Sequence, residues 1–444
     1  MTLPPAFVRL DDAYQFIHVP TTNRNRAEMQ SRSSSVFTPV LIAGSIILLI
    51  GFGIRASFGV FQIPIAAEFG WPRAEFSIAI AIQNLAWGIG QPIFAAVAEK
   101  FGSRLAVLVG ALLYSAGLAL SSFSATPLGH QMLEVLVGFG IAGTGFGVIL
   151  AVVGRAAPDS NRSLALGIAT AAGSVGQIIG PPFAAVLLAY MDWSMVFIVF
   201  SVLILSVLFA LPMLGRNDQV AVEDLEESLS EILVLAFKDP SYSMVFLGFF
   251  SCGFQIAFFT AHFPAMVTEM SSPVDPNGFL ASVGVTTTAA LGAISIGLIG
   301  FTNVIGTVLA GALGRTYLKK HLLVFIYTSR TIISILFISF PITPFSVVLF
   351  SLAMGFLWLA TVPLTSGLIA AIYGLRYMGT LYGIVFLSHQ IGGFLGVWLG
   401  GILHDLYGSY STVWWVGIGV AAFSAAIHLP VKESALESRM VRAG

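Results

Sequence analysis

Uncharged apolar runs long enough to cross a lipid bilayer recur along the whole chain, and they leave few folds open to it. LIAGSIILLI (41–50) is the first, and comparable stretches return to the far end of the sequence. A hydrocarbon core of about 30 Å takes about 20 residues of helix to span. Inside lipid every backbone N–H and C=O must be satisfied within the protein, which leaves helices or a closed barrel, and runs of this length suit helices. Charged residues make up only 9% of the 444 residues and apolar ones 57%, whereas a soluble domain carries about 25% charged residues. The expected class is an all-α membrane protein in contact with the bilayer. Its spans, numbered 1 to 12, are read at 37–62, 75–98, 105–124, 129–153, 163–190, 194–213, 241–268, 284–313, 322–340, 344–372, 378–403 and 412–430.

Most connections are short. The exception is GRNDQVAVEDLEESLSEILVLAFKDP (215–240), whose seven acids (Asp218, Glu223, Asp224, Glu226, Glu227, Glu231 and Asp239) predict a solvated linker, partly helical along the surface. The organisation that follows is an N-terminal tail (1–36), a six-helix bundle (37–213), the linker (214–240), a second six-helix bundle (241–430) and a short tail (431–444). With both termini cytoplasmic, seventeen of the twenty Lys and Arg residues fall in inside segments and only Arg73 in an outside loop. That asymmetry sets the expected orientation in a plasma (inner) membrane. A polar, mixed-charge stretch before span 1 does not read as a cleavable signal peptide. The net charge of −1 argues against a nucleic-acid partner, and the single Cys252 rules out an internal disulfide.

The two halves carry a repeat. At an offset of 216 residues Gly90 meets Gly306, Arg104 meets Lys320, Gly167 meets Gly383, Gly176 meets Gly392 and Gly180 meets Gly396. An offset of 200 sets Gly53 on Gly253 and Pro64 on Pro264, the difference being absorbed by the SSPVDPNGFLASVG loop (271–284). Duplicated six-helix halves are a known plan for secondary transporters, with the substrate held between them near the midplane. The loop between spans 2 and 3 reads AAVAEKFGSR (95–104). It resembles the G-x-L-A-D-R-x-G-R-R signature of the major facilitator superfamily, with Ala95 in place of the first glycine and Ser103 in place of one arginine. The copy in the second half, GALGRTYLKK (311–320), is degenerate.

The resemblance covers roughly 37–430 and implies twelve helices in two pseudo-symmetric bundles that rock between inward- and outward-open states. RASFGVFQIPIAAEFGWPRAEFS (55–77) and NRSLALGIATAAGSVGQ (161–177) look like the monocarboxylate and oxalate–formate branch. One departure stands against that branch: its Asp–Arg pair in span 8 has no counterpart, since 284–313 carries no charge. GSVGQIIGPP (173–182) partly resembles an element of drug–proton antiporters, which leaves efflux as the alternative. A non-transporting membrane sensor is the reading from another class. Nothing pairs a nucleophile with a base, so an enzyme is not expected.

Within span 1 stands Arg55, a charge at membrane depth, where a residue of this kind faces a cavity or a partner. Gln62 lies seven residues on, along the same helical face, and Gln255 and His262 repeat the spacing in span 7. The only acid clearly inside a span is Glu134. An unpaired guanidinium lining a wet cavity suits bidentate capture of a carboxylate, so Arg55 is the expected anion ligand; pairing with Glu134 or with helix carbonyls is the alternative. Gln83, Asn84 and Trp87 in span 2, with Gln91 behind them, together with Asn303, Trp358, His389 and Gln390, are further candidates for the substrate path. Arg330 in span 9 is another, though its stem is long enough to snorkel to the membrane surface. Glu99, Lys100, Gly102 and Arg104 in the loop motif form an expected conformational latch. No metal or cofactor motif is present, and the expected ligands are a small organic anion and protons, bound by a monomer.

Overall fold

A computed structural model describes residues 36–71, 73–215 and 229–436. The side chains of a few residues inside these ranges, Gln62 and Arg73 among them, lie outside the described set, as do five of the linker acids. Twelve helical spans are present among the described residues: Pro39–Phe61, Ile78–Phe101, Ser103–Ser121, Pro127–Ala156, Asp159–Leu188, Trp193–Met213, Pro240–Met270, Thr288–Leu313, Lys319–Ser339, Pro344–Tyr373, Met378–His404 and Ser411–His428. They match the sequence-based spans, the largest shift being four residues at the starts of spans 5 and 8.

The same local chemistry starts several of them. Thr38-Pro39, Thr126-Pro127 and Thr343-Pro344 each place a hydroxyl where it accepts from a free backbone N–H of the first turn, with proline at a position that needs no donor. Asp239-Pro240 does this for span 7, its carboxylate accepting from Ser241 N at 3.0 Å. Asp239 also accepts from the Tyr373 hydroxyl at 2.7 Å and is buried. The linker's last acid is thus a cap locked to span 10, a correction to its reading as a solvated residue. Within the linker, Leu229–Lys238 is helical.

Two spans are interrupted. Span 4 breaks at Gly145, between helices 127–144 and 146–156, and span 10 breaks between helices 344–357 and 361–373. Freed backbone groups at such breaks need partners from neighbouring helices.

Span 1 packs on span 5, span 2 on span 4, and span 3 on span 6; span 7 on span 11, span 8 on span 10, and span 9 on span 12 repeat these pairings. Gly176 and Gly180 lie so close to span 1 that an added Cβ would overlap the carbonyl oxygens of Leu49 and Gly53. Gly392 and Gly396, their partners at the 216-residue offset, make the same crossing against Phe250 and Phe254 of span 7. Small residues let membrane helices approach this closely, and the repeat is therefore one of geometry as well as of letters.

Between the halves, span 2 packs on span 11 and span 5 on span 8. The described hydrogen bonds across this seam run from the end where spans 2 and 3 meet, at Glu99–Thr380 and Arg315–Ser160, up to Asn303–Ser174 and Gln390–Asn84 at mid-depth. The halves are clamped at that end.

Candidate functional site

Arg55 lies at the middle of the helix Pro39–Phe69, at the level where the clamp stops. Its Nη2 donates to Asn84 Oδ1 at 2.6 Å, and Asn84 in turn is tied to the second half, its backbone carbonyl accepting from Gln390 Nε2 at 3.1 Å. The guanidinium carbon stands 4.7 Å from the centroid of the Trp87 ring. Trp87 is held in place by an indole N–H bond to Gln91 at 2.8 Å and by packing on Phe52 and on Phe386 of span 11. Arg55 is half-buried, its buried Nε has no hydrogen-bond partner, and no carboxylate pairs with it among the described residues. A hydrogen bond to a charged group contributes about 1.5–3 kcal/mol and a cation–π contact about 0.5–2 kcal/mol. Set against roughly 2.5–3.5 kcal/mol for an arginine at a helix centre on insertion scales, the charge is tolerated without being neutralised. This arrangement can take an anion.

Glu134 is not its partner. That carboxylate is buried inside the first half, where Oε2 accepts from Gln83 Nε2 at 2.7 Å and Oε1 lies 3.6 Å from His130 Nε2. Gln83 and Asn84 are neighbours on one helix, about 100° apart around it: Gln83 turns inward to span 4 and Asn84 toward Arg55. Gln91 likewise turns inward, donating to the Ala142 carbonyl at 3.3 Å beside the break in span 4.

The candidates in the second half do not gather at one point. Asn303, in span 8, donates to Ser174 Oγ of span 5 at 2.8 Å, while its Oδ1 accepts from Leu359 N at 2.9 Å in the span 10 break. It therefore joins the two halves and caps a freed backbone group at once. Arg330 does not reach the membrane surface, which corrects the snorkelling alternative. Its guanidinium is buried, donating to the carbonyls of Leu357 (2.6 Å) and Trp358 and, at 3.5 Å, to Gln255 Oε1. Those carbonyls end helix 344–357, where the dipole favours a cation by up to about 2 kcal/mol. Leaving water costs such an ion several kcal/mol, so much of the cost stays unmet.

The Trp358 ring packs flat beside Phe259, with centroids 6.0 Å apart. His389 is sandwiched between Phe249 and Phe386, and its Nδ1 faces Gln390 Oε1 at 3.2 Å. His262 Nε2 meets the Val397 carbonyl at 2.9 Å, which holds span 7 to span 11. Gln62 lies outside the described side chains. The structure therefore brings together Arg55, Asn84, Trp87 and Gln390, and turns Gln83, Gln255, Asn303, Arg330 and His262 to packing and capping contacts.

In the loop motif, Glu99 accepts from the Thr380 backbone N–H at 3.0 Å and from its hydroxyl, bridging the halves at their clamped end. Arg104 instead straps the end of span 6, donating to the Leu214 carbonyl at 2.6 Å and the Pro212 carbonyl at 2.9 Å. Gly102 supplies the positive φ of 97° that turns span 2 into span 3. Lys100 is exposed over Phe101. Of the four, Glu99 alone is described making a bond across the seam. Hydrogen bonds to a charged acceptor of about 1.5–3 kcal/mol each give Glu99→Ala an expected population shift of about tenfold or more toward the state open at this end. Spin labels on Lys100→Cys and Arg376→Cys would then move apart; an unchanged distance distribution would show that the bond is no latch.

Twelve helices in two related halves, clamped at one end around a cationic side chain, define a membrane transporter. The chain belongs to the Major Facilitator Superfamily, whose family model matches residues 43–397. It is 26% identical over 388 residues to the uncharacterized MFS-type transporter YcxA of Bacillus subtilis, covering 84% of this chain and 90% of that one. It is 30% identical over 371 residues to monocarboxylate transporter 13 of Bos taurus, covering 81% of each. Among solved structures it resembles the proton:xylose symporter XylE (TM-score 0.69, 15% identity, 92% of this chain and 99% of that one). It also resembles the transporter FucP in its outward conformation (TM-score 0.66, 15% identity, 88% and 98%). The protein is thus a multi-pass integral membrane transporter and not an enzyme.

Proposed function

We propose that the protein is a secondary active transporter of a small organic anion of the monocarboxylate class. The observation that carries this reading is Arg55, half-buried, fixed by Asn84 and Trp87 and left without a carboxylate partner among the described residues at the level where the two halves part. A carboxylate meeting its remaining donors completes a charge-assisted pair. The similarity to monocarboxylate transporter 13 agrees with this ligand class. Transport proceeds by alternating access: rocking of the halves breaks the Glu99–Thr380 contact and closes the opposite end over Arg55. With lysine and arginine concentrated at the clamped end, that end and both termini are cytoplasmic, the membrane is the plasma (inner) membrane, and the site opens outward. A monomer suffices for this cycle.

A gradient supplies the energy, and with span 8 uncharged the Glu134–His130 pair is the place where a co-transported proton can reside, two helix faces away from Arg55 through Gln83 and Asn84. Liposomes containing the purified protein test the ligand class: a monocarboxylate is taken up and its uncharged amide is not. Equal uptake of both would end the anion reading, and movement only from the clamped side outward would make the protein an exporter.

A further inference from the structure

Arg55, Asn84 and Trp87 all belong to the first half, yet both supports of the guanidinium rest on span 11 of the second. The Asn84 backbone carbonyl accepts from Gln390 Nε2 at 3.1 Å, and the Trp87 ring packs on Phe386 with centroids 4.7 Å apart. The two routes meet at His389. Its ring lies nearly parallel to Phe386, at 5.1 Å and 10°, and its Nδ1 stands 3.2 Å from Gln390 Oε1. Phe249 packs against the same ring and the Cys252 thiol bonds to it, which anchors His389 to span 7. Donor and acceptor roles follow from chemistry. A backbone carbonyl only accepts, so the Gln390 amide turns its nitrogen to Asn84 and its oxygen to His389. That oxygen only accepts in turn, so a proton of the imidazole sits on Nδ1. Gln390 is itself 7% exposed, and a Cβ added at Gly88 would stand 2.9 Å from its own, so the two helices come this close only over a glycine. The same position reaches across the seam in both halves. At the 216-residue offset Gln390 falls on Ser174, which makes the other mid-depth contact between the halves by accepting from Asn303. Only the second copy, a long amide, lands on the helix that carries Asn84 and Trp87.

We propose that Gln390 and His389 are positioning residues of the carboxylate site, holding the cradle of Arg55 from the opposite half without touching the substrate. This rests on the reading of Arg55 as the anion ligand. Gln390 fixes the stretch of span 2 that presents Asn84, and His389 fixes the Gln390 amide and, through Phe386, the Trp87 ring. An arginine held in this way loses less freedom when a carboxylate arrives, and preorganisation of that kind raises affinity. The strength of the site is thereby set in part by contact between the halves.

Calorimetric titration of the purified full chain with pyruvate and with benzoate tests this. Gln390→Leu keeps the volume and removes the amide, and the Asn84 carbonyl keeps its bond within helix 73–101, so the fold is expected to hold. The dissociation constant for whichever probe the parent binds should rise about three- to tenfold, as the loss of one uncharged hydrogen bond would give. His389→Phe keeps an aromatic ring beside Phe386, loses the Nδ1 donor and leaves the Cys252 thiol its Thr361 partner at 3.2 Å. A rise of the same order is expected there, and this variant carries the test should Gln390→Leu unfold. Because both residues act through Arg55, Gln390→Leu added to Arg55→Ala should weaken binding no further than Arg55→Ala alone. Parent affinity in both single variants overturns the proposal and leaves Arg55 as the ligand. A further loss in the double variant also overturns it, since Gln390 would then touch the carboxylate itself. Binding undiminished by Arg55→Ala, or a parent that takes neither probe, removes the carboxylate reading and the positioning role with it.

Discussion

Arg55→Ala is expected to lower the affinity for a carboxylate substrate about 10- to 100-fold, the loss of a hydrogen-bonded charge worth about 1.5–3 kcal/mol. Arg55→Lys should fall between: it keeps the charge but loses the fork that lets one group hold Asn84 and still face a ligand. Stability gives the control. Removing a charge that is tolerated but not neutralised relieves a cost, so the alanine variant should melt no lower than the parent in detergent. Uptake kinetics in liposomes separate the possibilities. A raised KM in both variants with intact folding places the carboxylate on Arg55. Unchanged affinity in both would mean that the Asn84–Trp87 cradle holds the arginine for packing alone, and the ligand class would lose its main support.

The helical class and the spans could be read from apolar run length alone, because lipid permits so few backbone solutions. The glycine repeat was legible for a related reason. Gly176 and Gly180 recur as Gly392 and Gly396 since the crossing they permit excludes even a methyl group. Side-chain destinations were harder. Asn303 and Gln83 look like cavity residues in sequence, yet each is consumed by a contact far along the chain, to Leu359 and Ser174 in one case and to Glu134 in the other. Arg330 shows the limit most clearly. Its partners are backbone carbonyls exposed by the break in span 10, and a break that contains no proline at its turning point leaves only Pro363, two residues into the next helix, as a trace in the sequence. Asp239 was hidden by its acidic neighbours, although the pattern Asp-Pro before an apolar run marks a helix start.

Glu134→Gln is expected to lower concentrative uptake sharply while leaving exchange of substrate across the membrane intact. The amide is nearly isosteric, and its carbonyl oxygen can still accept from Gln83 Nε2, so the packing of spans 2 and 4 is preserved. What it removes is the titratable group that faces His130, with Tyr114 also within electrostatic reach. The geometry gives a reason for the two sites to communicate. Gln83 holds Glu134 and the adjacent Asn84 holds Arg55, so a small rotation of span 2 displaces both partners together. Neutralising the anion at Arg55 and loading a proton on the Glu134–His130 pair then favour the same packing of this helix, and each ligand strengthens the other. Coupling of this kind amounts to about 1–3 kcal/mol, or about 5- to 150-fold in affinity. Accumulation against a gradient in response to an imposed proton gradient should fall by that order in the variant, whereas counterflow with substrate on both sides needs no net proton movement and should persist. Loss of both activities would point to a folding role for Glu134. Retention of concentrative uptake would move the coupling step elsewhere, with His262, His389 and the His404–Glu269 pair among the titratable side chains where spans 7 and 11 meet.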